Sequence, residues 1–185
     1  YQAAQTANGR VTIIRDGMAF TADSLNNGAL RAVAPRVGDF ERILGGRHLA
    51  RGAGGVYSVA SNQMLNDILG RVLRLAWQSS SYSSCWILAD SSLQCGGGVS
   101  SVPAGSFTDV VTASVRGFLA ITSDGSWRRW AMTSQAIPAL EQLPHPLATV
   151  SISGSGANAC YRYTNNTVDC RSETETYPPP VNSSF

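Results

Sequence analysis

The sequence predicts an all-β repeat protein, carrying disulfides and suited to an oxidising compartment. Three observations predict it. One eleven-residue frame recurs five times along the chain. Each copy centres on a turn pair between short β-prone runs. The four cysteines fall in two of the copies, at the same two places of the frame.

The copies run from Val11 to Thr21, Tyr57 to Asp67, Cys85 to Cys95, Leu119 to Arg129 and Cys160 to Cys170. Apolar residues lead in each. The turn pair holds the sixth and seventh places: Asp16-Gly17, Asn62-Gln63, Asp90-Ser91, Asp124-Gly125 and Asn165-Asn166. The fifth to seventh residues then form a three-residue loop, a type I turn closing on a left-handed residue. Gly suits that last place and Asn tolerates it. The fourth and eighth residues close the loop as a hydrogen-bonded pair. Pair types alternate outward, so the first and eleventh residues are a non-hydrogen-bonded pair, with Cα atoms about 4.5 Å apart. That lies inside the range a disulfide spans. The frame therefore predicts Cys85–Cys95 and Cys160–Cys170, each stapling one hairpin. The other two pairings of four cysteines would link different repeats. A loop this short implies about 3 kcal/mol per bridge on the chain-entropy account. Metal binding competes poorly, given nine residues between paired cysteines and two histidines in the chain.

A further strand precedes each later hairpin. The stretches are HLARGAGG before Tyr57, LRLAWQSSSYSS before Cys85, FTDVVTASVRG before Leu119 and TVSISGSGANA before Cys160. Each unit thus reads strand, small-residue turn, strand, tight loop, strand. The unequal gaps between copies put insertions in the connections. One such unit cannot bury both faces; stacked neighbours can. Two connections show helical spacing or bounds. Leu65, Ile68, Leu69, Val72 and Leu73 recur at helical intervals, and IPALEQLP lies between prolines. The first overlaps its unit's closing strand. There the favoured reading is a compact hairpin leading straight into the next strand. Residues 173–185, ETETYPPPVNSSF, lack apolar periodicity, and Pro178 to Pro180 favour extended polyproline II. The expected organisation is a repeat domain over 1–172 and an extended Pro-rich tail over 173–185.

The unit resembles the regulator-of-chromosome-condensation type of β-propeller repeat, in its Cys-bearing extracellular variety, similar to Crinkly-type receptor ectodomains. That pattern runs as a small residue, then C-A-L-x-x-D-G-x-V-x-C-W-G. The best match is FTDVVTASVRGFLAITSDGSWRRWA, with Trp130 at the family's Trp; Cys95 is followed by Gly96-Gly97, keeping a Gly and losing the Trp. The resemblance spans roughly residues 6 to 171. It implies a β-propeller-like array of about five short antiparallel units, either a closed five-bladed ring or an incomplete propeller. A β-solenoid or β-sandwich is the competing architecture.

Composition narrows the function. The net charge is +2 and charged residues are 14 %. All 14 cations are arginines, scattered except for Arg128-Arg129. A nucleic-acid binder needs a basic stripe, and none is evident. No apolar run reaches the roughly 18 residues of a membrane span. The sequence begins at Tyr1 without a signal peptide, as a processed mature chain would. Sequons at Asn165-Asn166-Thr167 and Asn182-Ser183-Ser184 fit a secreted glycoprotein, with Asn165 at a loop tip.

Chemistry finds little support. There is no nucleophile elbow, P-loop, dinucleotide fingerprint or H-E-x-x-H, so no cofactor is expected. His48 and His145 are the only histidines, and Asp16, Asp90 and Asp124 are turn formers. A hydrolase would need both histidines to meet a Ser and an acid in one cleft. Binding is the more natural use of repeats, with aromatics as its instrument. Trp127 is the best exposed candidate, followed by Tyr161 and Tyr163, while Trp86 and Trp130 read as core. Alternation sets Trp127 and Arg129 on one side of their strand and Arg128 and Trp130 on the other. The expected role is a non-enzymatic structural or protein-interaction subunit of an extracellular filament, wall, coat or appendage. Its partners are further copies of itself or another extracellular protein. A glycan-binding lectin and an inhibitor or receptor-ectodomain module are the alternatives.

Overall fold

A computed structural model of the chain describes residues 3–7, 10–23, 29–44, 48–78, 83–97, 99, 102–114, 117–131, 149–155 and 158–172. Every regular element among them is a strand, and the strands form five antiparallel sheets in chain order. Contacts divide the chain into two compact units, Tyr1–Arg74 and Leu75–Phe185, with the division falling inside one strand. The tail at 173–185 and the IPALEQLP segment lie outside the described residues, as does His145.

The first unit holds two four-stranded sheets. One comprises β1 (Ala3–Ala7), β2 (Arg10–Arg15), β3 (Met18–Asp23) and β4 (Arg31–Ala32). The other comprises β5 (Phe40–Leu44), β6 (His48–Arg51), β7 (Val56–Ser58) and β8 (Gln63–Leu65). Between them Ile14, Ala19 and Ala34 pack against Phe40, Leu49 and Tyr57. Phe40 and Tyr57 meet edge-on at 5.7 Å.

The remaining sheets have three strands each. They are β9 (Val72–Gln78), β10 (Ser83–Leu88) and β11 (Leu93–Gly96); β12 (Phe107–Ser114), β13 (Gly117–Thr122) and β14 (Trp127–Ala131); and β15 (Thr149–Ser155), β16 (Asn158–Tyr163) and β17 (Val168–Ser172). In the second unit the third and fourth sheets share a core of Cys85, Ile87, Leu93, Phe107, Phe118 and Trp130 with their neighbours. The fourth and fifth share Leu119, Ile121, Trp127, Ile152, Tyr161 and Tyr163. Residues 61–76 form β8, a turn and β9, so the compact hairpin displaces the helical reading there.

Three hairpins keep the expected frame. Cys85 stands opposite Cys95, Leu119 opposite Arg129 and Cys160 opposite Cys170. Each loop closes on a left-handed residue: Ser91 at φ 67°, Gly125 at φ 83° and Asn166 at φ 65°. The amide of that residue donates back to position four, over 2.9 Å to Leu88, Thr122 and Tyr163 alike.

The first two frames need correction. Val11 faces Ala22 and not Thr21, because the loop between Arg15 and Met18 has two residues. Asp16 and Gly17 both adopt positive φ, 51° and 73°, the form that matches strand twist in a two-residue hairpin. Tyr57 faces Met64 and not Asp67. There Asn62 takes the left-handed place at φ 56°, and its side chain accepts a hydrogen bond from the Tyr57 hydroxyl. The first sheet also gains β1 and β4, and the second gains β5, strands that sequence reasoning missed. In β5 a bulge between Phe40 and Arg42 breaks the alternation that would have revealed it.

That bulge recurs, between Phe107 and Asp109 in β12 and between Thr149 and Ser151 in β15. A second recurrence joins successive sheets. The carbonyl of the left-handed loop residue accepts the amide of the residue that opens the next sheet. Gly17 takes Phe40 at 2.9 Å, Ser91 takes Phe107 at 2.9 Å and Gly125 takes Thr149 at 3.3 Å.

Candidate binding surface

The frame assigns each side chain to a junction. Odd positions of one hairpin meet even positions of the next. Cys85 and Ile87 pack with Phe118 and Ala120, and Leu119 and Ile121 pack with Tyr161 and Tyr163. The physical cause is the two-residue period of a strand, which gives each sheet a forward face and a backward face.

This parity overturns the aromatic binding candidates. Trp127 is 1 % exposed, and Tyr161 and Tyr163 are each 3 % exposed. Trp127 stacks on Tyr161 at 4.2 Å with ring planes 15° apart, and its indole N–H donates to the buried Thr149 hydroxyl. A Trp beside two arginines reads as surface from the sequence. Here its strand is covered on both faces, so both tryptophans of WRRW are core. Trp86 and Trp130 are buried as expected, and Trp130 stacks on Phe118 at 5.8 Å.

Disulfides join Cys85 to Cys95 and Cys160 to Cys170, with Cα atoms 4.1 and 3.9 Å apart. Their settings differ. Cys85 is fully buried with Cys95 packed against the same core. Cys160 is half-buried and Cys170 exposed.

The exposed loops repeat one polar device. Asp90 Oδ1 accepts from the Ser92 amide and hydroxyl at 3.0 and 2.7 Å. Asp124 Oδ1 accepts from the Ser126 amide at 3.0 Å and from the Thr122 hydroxyl. Asn165 Oδ1 accepts from the Thr167 amide and hydroxyl at 3.0 and 2.7 Å. The sequon at Asn165 is therefore one instance of an Asx turn that the repeat uses elsewhere with Asp. Asn165 is exposed, while Asn182 lies outside the described residues.

These bonds hold the Asp90 carboxyl below its usual pKa, chiefly through the Ser92 side chain, and Asp124 likewise, chiefly through the Thr122 side chain. The charged forms are favoured in the fold. Their contribution is present above the unfolded-state pKa and fades as pH falls through the folded one. Stability should therefore drop on acidification below about pH 4. Converting both to Asn, as the fifth loop already has, should flatten that drop in denaturation midpoints compared at pH 5 and pH 3.

Sequence reasoning missed one buried acid. Asp109, 6 % exposed, follows the β12 bulge; its carboxylate accepts from the Val110 amide at 3.0 Å and the Ile152 amide at 3.1 Å. It ties the fourth sheet to the fifth. His48 is buried in β6. Among the described residues, no three His, Cys, Asp or Glu side chains gather as metal ligands would. Among the described residues, no helix is long and apolar enough to cross a membrane.

One surface departs from the pattern. The fifth sheet's backward face is core, but its forward face carries Arg162 and, opposite it, Val168, 56 % exposed. The exposed Val150 lies beside them at the β15 bulge. The same face of the third sheet buries Cys85 and Ile87.

No family model and no curated protein matches the chain. Solved structures do. The Myceliophteria thermophila Cps50 (Swd1) β-propeller domain superposes with a TM-score of 0.65 at 13 % identity, over 90 % of this chain and 64 % of that one. The computationally designed Ika8 protein superposes at 0.59 with 14 % identity, over 92 % of this chain and 57 % of that one. The likeness is one of fold: a β-propeller-like array. This chain spans well under the whole length of either structure.

Proposed function

We propose that the protein is a secreted, non-enzymatic glycoprotein acting as a protein-interaction subunit of an extracellular assembly. The observation that carries this reading is the burial of the aromatics. Trp127, Tyr161 and Tyr163 fill a core, so binding falls to polar loops and to the outer sheet surface, which suit a protein partner better than a stacked sugar. Two local disulfides agree with an oxidising compartment. The propeller-like fold is a common carrier of protein interaction surfaces. We further assign the repeats to the Cys-bearing extracellular variety of the regulator-of-chromosome-condensation type, on the frame and on buried Trp130.

The test is the size of the secreted protein and its capture of extracellular partners. Concentration-dependent association, or stoichiometric capture of an extracellular protein, supports the reading. A strict monomer with no captured partner overturns it. Glycan occupancy is read separately: glycosidase treatment should lower the mass, and Asn165→Gln should remove one glycan's worth of that shift. An unchanged shift in the variant would assign the glycan elsewhere.

A further inference from the structure

Each described junction in the second unit sets a forward face of odd positions against a backward face of even positions. The fifth sheet ends the series with a forward face that stays exposed: Arg162, Val168 and the Cys160–Cys170 bridge. What fits such a face is the backward face of another sheet of the same kind. The first sheet carries one. Its Ile14 and Ala19 turn toward the second sheet, while Ile13 and Phe20 pair on the opposite side, beside Val11 and Ala22. Val11 is 36 % exposed, and Ile13 and Phe20 are half-buried.

We infer that copies of this chain associate head to tail, the forward face of the fifth sheet receiving the backward face of another copy's first sheet. The inference rests on the proposed assembly role and names its partner as a second copy. Such an interface is heterologous, so copies add in series or close a ring. A glycan on Asn165 is compatible with it. Asp90 and Asp124 hold the same loop place at junctions that are formed, and both stay exposed.

Two full-length variants test it, Val168→Glu on the forward face and Val11→Glu on the backward face. Wild type should show a mass above the monomer that rises with concentration. Each variant alone should fall to the monomer mass. Mixed in equal amounts they should form a dimer of twice that mass and nothing larger, because each retains the one face the other lacks. Circular dichroism checks folding, and Arg162→Glu replaces Val168→Glu should the latter unfold. The inference is overturned by a monomeric wild type, by a Val11→Glu variant that keeps the wild-type size, or by a mixture that stays monomeric. Wild-type association untouched by any variant would overturn this interface while leaving the assembly reading intact. A monomer that gains mass only when residues 173–185 are removed would make the tail the occupant and overturn it too.

Discussion

Trp127→Ala is expected to destabilise the second unit by about 3–5 kcal/mol, the range for emptying a large aromatic site in a core. The substitution removes the ring that stacks on Tyr161 and the donor that reaches Thr149, which is only 3 % exposed. Its neighbours cannot fill the void, because Leu119 and Ile121 on the adjacent strand and Ile152 across the sheet junction are held by their own strands. Trp127→Phe should cost less, since it keeps ring contact and loses the hydrogen bond. All four tryptophans lie in the second unit, so their fluorescence reports its unfolding in denaturant directly. A change within about 0.5 kcal/mol is what a surface residue gives. That result would return Trp127 to the surface and restore the sugar-stacking alternative.

The second large effect is expected from the disulfides, and it should be unequal. Both bridges have the same sequence separation of 10, so the chain-entropy account gives both about 3 kcal/mol. Burial then separates them. Replacing Cys85 and Cys95 with Ala also removes two sulfur atoms from a core against Ile87 and Phe118. Unfilled volume adds to the loss, by roughly 1–2 kcal/mol for an atom pair of this size. Cys160 and Cys170 line an exposed face, so their replacement should cost only the loop term. Denaturation midpoints of the two double variants measure this. Equal losses would mean the buried bridge contributes nothing by packing. A smaller loss at Cys85–Cys95 would contradict its place in the core.

The acid response argued from Asp90 and Asp124 offers an independent check on the loops. The fifth loop has the same hydrogen bonds as the Asp90 loop, built on Asn165, which does not titrate. The prediction therefore compares one kind of Asx turn with and without a charge.

The repeat was legible because its signals are local. A turn pair in fixed position between β-prone runs specifies a hairpin by backbone chemistry alone. The disulfide pairings followed from strand-pair alternation, which is also local. The first two frames slipped for a local reason too. Whether a loop has two, three or four residues turns on which residue takes positive φ, and Asp16, Gly17 and Asn62 can each do so. The extra strand β5 was hidden by a bulge, which interrupts the period by which strands are recognised.

Burial was not legible at Trp127, Tyr161 and Tyr163. Alternation says which residues share a face and not whether that face is covered. Arg128 beside Trp127 suggested solvent, yet both faces of β14 meet a neighbouring sheet. The Asp109 tie was hidden for a similar reason. An acid within a strand earns burial only when a bulge and an adjoining strand bring it amides to accept.

The sequence by itself thus determined the five-fold hairpin unit, the strand pairing of three hairpins and the two staples, because turn geometry and the two-residue strand period act within one unit. Only the tertiary structure decided which faces are core and which remain open. That depends on the sheet that lies alongside, and no residue within a hairpin encodes its neighbour. The same circumstance makes the last forward face informative: it has the form of a junction and lies exposed.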